Sequence, residues 1–280
     1  VNLPFVIWTN QRTGGTALLE TLAAASKSPI RFHEPFGPAR QWDYLVKLYH
    51  SCNDWKDSLW SALTATAPIY ASFKHCVEAV SDGLNRSIFE ATNHLGYTHI
   101  FLRRDPVDRL FSLALATQVG LWHPKKVLPF IHRSVRASDA ATVRNSLEAG
   151  RKLFPINTVN LMAHEQNCIA NLDRVEELAK KASIPVLSLR DISDQGTQWD
   201  QLLFHFMIID RETFFRCLSR FGVGSSEFIQ RIPNYEEARE AFSNLRMEKS
   251  DINSQRDMSR FRSSFPAQSY AYDCIHDQPE

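Results

Sequence analysis

The sequence predicts an α/β fold, a three-layer sandwich with a central parallel sheet flanked by helices, and three observations predict it. Short apolar runs of strand length alternate with longer stretches that repeat apolar residues at helical spacing. The runs have the character of strands buried on both faces, as in a parallel sheet covered by helices. Helix-start signals, a glycine pair in one place and Asp-Pro in another, follow two of the runs directly. At 280 residues and 44% hydrophobic, the chain can bury one sizeable core.

Taken in order, Phe5–Trp8 is the first strand candidate, and Thr16–Ala25 places Leu18, Leu19, Leu22 and Ala25 at helical spacing. Ile30–Glu34, Ile69–Lys74 and His99–Leu102 are the next three strands. Asp105 can cap a following helix and Pro106 suits its first turn. Val107, Leu110, Phe111, Ala114 and Leu115 then share one face of that helix. Residues 140–182 read as mostly helical with a break near Pro155, Ile184–Leu189 as a fifth strand, and the stretch through Trp199, Leu203 and Phe206 as another helix. Beyond Pro233 the chain turns polar, and Ser250–Ser254 reads as loop. The expected organisation is an α/β domain over 1–232 and a C-terminal extension over 233–280, a lid or tail of the same domain.

Charge and composition exclude several classes. With 32 basic against 31 acidic residues, the chain lacks the one-sided field of a general nucleic-acid or membrane-surface binder. No run approaches the ~18 apolar residues of a membrane-spanning helix, and the first residues lack a leader pattern. Cys52, Cys76, Cys168, Cys217 and Cys274 are odd in number and scattered, without zinc or disulfide spacing. The triplet Asn85-Arg86-Ser87 is too common by chance to indicate secretion. A reducing cytoplasm is the expected compartment. A lumenal, Golgi-type location stays open, because the chain starts at Val1 and an anchor could precede it.

The segment Asn10-Gln11-Arg12-Thr13-Gly14-Gly15-Thr16 lies between the first strand and the first helix. Adjacent glycines let backbone amides approach a ligand closely, and the helix N-terminus favours an anion there. Thr13 and Thr16 add hydroxyls, and Arg12 a guanidinium suited to phosphate or sulfate. This strand–loop–helix makes the sandwich P-loop-like, but Thr16, not Lys, follows the last glycine, so the nucleotide pattern GxxxxGK[ST] is absent. Alone, the segment also fits an ordinary glycine-containing turn. A second cluster, Arg104-Asp105-Pro106-Val107-Asp108-Arg109-Leu110-Phe111-Ser112, pairs a strand-end arginine with a serine eight residues on, and Arg109 shares a helix face with Ser112.

Together the two clusters resemble the sulfotransferases that use 3′-phosphoadenosine-5′-phosphosulfate (PAPS), closest to the bacterial carbohydrate branch with its trehalose and nodulation-factor enzymes. The likeness is sharp over residues 5–35 and 99–116 and diffuse elsewhere, with weaker echoes at Phe73-Lys74, Leu121-Trp122-His123 and Pro233-Asn234-Tyr235. Gly15 departs from the Ser or Thr frequent at its position in that branch. The resemblance implies that Gln11, Arg12, Thr13, Gly14, Gly15, Thr16 and Ala17 receive the 5′-phosphosulfate, and that Arg104 and Ser112 receive the 3′-phosphate. It implies PAPS as donor, its desulfated form PAP as product, and no metal. It also implies a general base at Glu34 in His33-Glu34-Pro35-Phe36, with His33 as the second choice.

Arg12 and the loop amides are the expected electrostatic support for in-line transfer. Lys74 and His75 end the third strand and are candidates to stabilise the leaving phosphate or the acceptor. Trp8, Trp122 and His123 are candidates for adenine or acceptor contact, although aromatics beside apolar runs usually pack. Arg256, Arg260 and Arg262 are candidates to fold over the 3′-phosphate. The expected acceptor is a hydroxyl of a carbohydrate, glycolipid or other small molecule, facing residues 36–66, 117–140 and the tail. Trp42, Tyr44, Tyr49, Trp55 and Trp60 are expected to pack a helical hairpin rather than stack on sugars. Two alternatives stay open: a P-loop kinase-like phosphotransferase, and a non-catalytic nucleotide-binding module. Acceptor identity and oligomeric state are not legible in the chain.

Overall fold

The computed structural model describes residues 4–26, 30–51, 54–69, 71–119, 147–148, 150, 152–189, 197–221 and 226–251. Five strands form one all-parallel sheet: β1 (Phe5–Thr9), β2 (Arg31–His33), β3 (Ser72–Cys76), β4 (Thr98–Leu102) and β5 (Val186–Leu189), in the order β2-β3-β1-β4-β5. The register pairs Ile7 with Lys74 and with Ile100, and His33 with Lys74. Parallel pairing requires crossovers, and helices supply them: α1 (Gly15–Ala25), α2 (Asp43–Ser51), α3 (Trp55–Thr66), α4 (Asp82–His94), α5 (Pro106–Val119) and α6 (Thr158–Lys181). Then come α7 (Thr197–His205), α8 (Arg211–Phe221), the single turn α9 (Ser226–Ile229) and α10 (Tyr235–Asp251).

β1 is buried on both sides, and its alternate residues feed two separate cores. Phe5 and Ile7 pack with Leu18, Leu19 and Leu22 of α1, Trp199 of α7 and Phe214 of α8. Val6 and Trp8 pack on the other face with Leu45, Leu59, Ile88 and Leu172, from α2, α3, α4 and α6. These are the three layers the alternation predicts. Among the described residues, no helix is long and apolar enough to cross a membrane.

The third strand runs on past its expected end at Lys74 to Cys76, and three other boundaries move for local reasons. The third strand begins at Ser72 rather than Ile69, because Ala67–Ile69 forms a turn of 3-10 helix around Pro68, which lacks the N–H a ladder needs. The fifth starts at Val186, just after Pro185, for the same reason. In the C-terminal extension, Tyr235–Asp251 is helical, so Ser250 and Asp251 end a helix instead of opening a loop. Ala238, Phe242 and Leu245 of α10 are buried with Val107, Leu110 and Phe111 of α5, so this part of the extension belongs to the core. Residues 252–280 lie outside the described residues.

The connections leaving β1 and β4 diverge, β1 toward β2 at one edge and β4 toward β5 at the other. The crevice between their carboxyl ends is the switch point at which open α/β sheets receive ligands.

Candidate functional site

The loop after β1 is held from within. The Thr9 hydroxyl donates to the Thr13 hydroxyl in a short hydrogen bond, and Thr13 in turn donates to the Asn10 carbonyl at 2.8 Å, while the Leu102 carbonyl lies 3.0 Å from Thr9 Oγ1. The Gln11 N–H donates to Glu78 Oε1 at 2.5 Å, and the Gln11 carbonyl accepts from Arg109 at 2.8 Å. Arg12 takes the left-handed conformation at φ 64°, and its carbonyl accepts from Arg104 at 3.0 Å. The Thr13 hydroxyl and the Gln11 backbone therefore brace the loop, where the sequence expectation has them contact a ligand.

Gly14, at φ 89° and ψ 6°, precedes α1 and supplies no side-chain cap, so the first amides of the helix are left to other partners. A Cβ on Gly15 would lie 2.9 Å from Lys74 Cδ and 2.9 Å from Thr9 Cγ2. This position is bare because the Lys74 stem crosses it, a physical reason for glycine where the resembled branch often carries Ser or Thr. Ala17 is buried in the α1 core, so its side chain does not line the site as expected. The Thr16 hydroxyl faces Lys74 Nζ and accepts from it at 3.2 Å.

Lys74 also makes a short ion pair with Glu34 Oε1. Regular alternation along β2 would turn Glu34 to the face opposite His33 and Lys74. Its backbone N–H still bonds the Lys74 carbonyl at 3.0 Å, but φ is 51°, and the carboxylate swings back over Lys74 and Cys76 Sγ, the latter at 3.5 Å. A left-handed non-glycine residue costs roughly 1–2 kcal/mol, and such strain clusters at functional positions. Burial pushes the Glu34 carboxyl up, but the Lys74 ammonium and the hydrogen bonds from Lys74 and Cys76 outweigh it, leaving the group below its ordinary value. Glu34 is thus ionised at neutral pH.

The second cluster converges on the first. Asp105 Oδ1 caps α5 by accepting from Val107 and Asp108, as its position before Pro106 suggested. Arg12 Nε donates to Ser112 Oγ at 3.1 Å, so Arg104 and Ser112 both meet Arg12 across the β1–β4 crevice. Ser112 accepts in this bond and keeps its own O–H as a donor.

Other expected participants are turned elsewhere. His33 Nε2 pairs with Glu20 of α1 at 2.6 Å, and Glu20 also takes Arg31, which ties the second-choice base to a helix flank. His75 projects to the opposite face, 2.7 Å from Asn85 Oδ1 and edge-on to Trp8 and Phe36; burial lowers its pKa to about 4. It is a neutral core residue, not a site group. Trp8 is likewise core, its indole N–H donating to His99 Nδ1 at 3.0 Å. Trp42 packs on Phe32, Phe36 and Phe73, Tyr49 on Trp55, and Trp60 on His94, as the packing expectation has it, while Tyr44 is half exposed. Asn234 bridges to both backbone groups of Ile156 and so serves the framework. Trp122, His123, Arg256, Arg260 and Arg262 lie outside the described residues.

Arg109 departs most from expectation. It is buried, with Nε 2.7 Å from Glu165 Oε2, a further short bond from its Nη2 to the same oxygen, and Glu78 at 3.8 Å. Burial opposes its charge, yet Glu165 holds its pKa above the ordinary value. Glu78 and Glu165 had no sequence signal. One follows a strand and the other sits mid-helix, and only the fold brings them to the loop. Compared with known proteins, the chain matches no family model and no curated sequence.

Proposed function

We propose that the protein transfers a sulfuryl group from PAPS to a hydroxyl of a carbohydrate-like or other small-molecule acceptor. The observation that carries this reading is the meeting of Arg104 and Ser112 with Arg12, residues 92 and 100 positions apart, at the sheet's switch point. An adenosine with anionic groups at both ends calls for two basic cradles in reach of one another. The donor set of Arg12, Lys74 and the α1 amides on one side and Arg104 and Ser112 on the other fits that charge pattern.

PAPS supplies an activated sulfuryl group on a phosphate leaving group; the chain's own residues do the rest. Arg12 and Lys74 hold positive charge where α1 also favours an anion, and Thr16 orients the Lys74 ammonium. Glu34 stands ionised beside Lys74, able to accept the proton of an acceptor hydroxyl. While Lys74 pairs with it, Glu34 is a weak base. An anion that draws part of the Lys74 charge strengthens it, because burial by itself pushes the carboxyl up. A positioned base is worth about 10²–10⁴-fold in rate.

The test is a calorimetric titration with PAP, with ADP and ATP–Mg²⁺ as controls, repeated with Arg104→Ala. The expected result is PAP binding tighter than ADP binding, weakened in the variant. Glu34→Gln should retain PAP binding while PAPS turnover with a panel of mono- and disaccharides falls about 10²–10⁴-fold. Tighter binding of ATP–Mg²⁺ than of PAP would overturn the reading in favour of phosphotransfer. Absence of binding to any of the three would overturn nucleotide use altogether.

A further inference from the structure

We propose that Glu78 and Arg109, with Glu165 behind them, are positioning residues that set the loop after β1 in its anion-receiving form by gripping Gln11 at both of its backbone groups. This rests on the reading of that loop as the phosphosulfate cradle.

A peptide loop offers an anion attractive N–H groups and repulsive carbonyl oxygens, so its affinity depends on which way each peptide faces. Three successive carbonyls here are each taken by a donor: Asn10 by the Thr13 hydroxyl, Gln11 by Arg109 and Arg12 by Arg104. The amide of Gln11, at the start of the loop, is taken by Glu78. The two positive-φ residues that follow, Arg12 and Gly14, then carry the chain into α1. Arg12 does not adopt this conformation by preference, so the contacts on either side of it must hold it there.

Thr13, Arg104 and Arg109 belong to stretches already assigned to the site, Arg109 with no ligand role there, whereas Glu78 reaches the loop from elsewhere. Glu78 comes from the 3-10 turn Val77–Ala79 that directly follows β3. Its Oε1 accepts the Gln11 amide, while its buried Oε2 has no hydrogen-bond partner among the described residues. Burial raises the Glu78 carboxyl, against the pull of the Gln11 bond and Arg109. A buried carboxylate oxygen without a partner is costly, and a native structure tolerates it where the group has another task. Arg109 presents a rigid fork: Nε and Nη2 meet Glu165 on α6, leaving Nη1 for the Gln11 carbonyl. Glu165 thereby aims the guanidinium, and the loop is braced from β3, α5 and α6 together.

The test uses the intact protein with PAP as probe and backbone amide exchange at Gln11 as a second readout. Glu78→Ala removes the acceptor and should weaken PAP binding about tenfold, the scale of a lost charged hydrogen bond, with faster exchange at Gln11. Glu78→Gln keeps a carbonyl oxygen at the same reach and should restore both to near the wild-type level. A purely structural contribution of the Glu78 charge would not be rescued by this neutral variant. Wild-type-like PAP binding and Gln11 exchange in Glu78→Ala overturns the proposal, and so does failure of Glu78→Gln to rescue. If wild type binds no PAP, the cradle reading falls, and exchange at Gln11 still decides whether Glu78 grips the loop. Should Glu78→Ala not fold, the wild-type protein gives the answer: a Gln11 amide no better protected than those of Gly15 and Thr16 overturns the grip.

Discussion

Lys74–Glu34 joins β3 to the residue that follows β2, beside the start of α1, whereas Arg109–Glu165 joins α5 to α6 beside the loop after β1. The two pairs have similar chemistry and opposite surroundings. The Glu34 side chain is 28% exposed and sits on a left-handed backbone, and its cation also bonds Thr16. The side chains of Arg109 and Glu165 are 1% and 2% exposed, and the guanidinium makes two bonds to a single carboxylate oxygen. A pair with a part-exposed carboxylate, and a cation 7% exposed and shared with a hydroxyl, can exchange partners when an anion arrives. A pair closed on all sides can only hold geometry. On the proposed reading the first serves chemistry and the second framework, although in the sequence both are a basic and an acidic residue far apart.

The largest effect should come from breaking the closed pair. Arg109→Ala leaves Glu165 buried without its partner and should lower unfolding free energy by about 3–5 kcal/mol in urea denaturation. Replacing both partners with methionine should recover most of that stability, since an apolar pair of similar volume needs no charge compensation. It should not recover PAP binding, because the Gln11 carbonyl has lost its donor. Full recovery of binding in the double variant would place Arg109 outside the positioning network.

Gly15→Ala probes the open pair through its packing. The new Cβ meets both the Lys74 stem and Thr9, and Thr9 is fully buried. A cost of about 1–3 kcal/mol is expected for such overpacking, together with a fall in PAPS turnover as Lys74 is pushed off Thr16 and Glu34. Unchanged turnover would mean that the placement of Lys74 is not critical.

The smallest effect is a reversal in pH dependence. In wild type the Glu34 carboxyl lies below its ordinary 4.5, so the pair's contribution is present above that pH and is lost as pH falls through the folded value. In Lys74→Met, burial, the largest influence on this carboxyl, is opposed only by the Cys76 hydrogen bond and the Arg40 charge, and should raise the carboxyl above 4.5. The folded state is then penalised at neutral pH and relieved as pH falls through the raised value. The stability gap between wild type and Lys74→Met should be widest near neutrality and close on acidification. Arg40 and the Cys76 thiol also face Glu34 and are unchanged by the substitution. A gap constant with pH would show that Lys74 does not control this carboxyl.

Much of the site was legible because its residues sit at strand ends, where sequence and topology coincide. Arg12, Glu34 and Arg104 each follow a strand, Lys74 lies two residues before the end of β3, and parallel pairing sends all such ends to one edge of the sheet. Side-chain direction was less legible. Lys74 and His75 are neighbours, yet strand alternation gives one to the site and the other to the core. Glu34 breaks that alternation through its backbone, which no propensity scale foretells for a glutamate. The α10 stripe of Tyr235, Ala238, Phe242 and Leu245 was present in the sequence but masked by the charged residues between them.

The sequence by itself determined the layered α/β architecture, because the periods of two and 3.6 in apolar residues depend only on local chain geometry. It also determined the glycine loop and the capped start of α5, whose signals are local. Tertiary structure alone decided that Glu78, Arg109 and Glu165 meet at Gln11, and that Arg104 and Ser112 meet at Arg12. Contacts between residues 56 to 100 positions apart depend on which elements become neighbours in the sheet and its layers. Burial then decides which charges lock together and which remain open to a ligand.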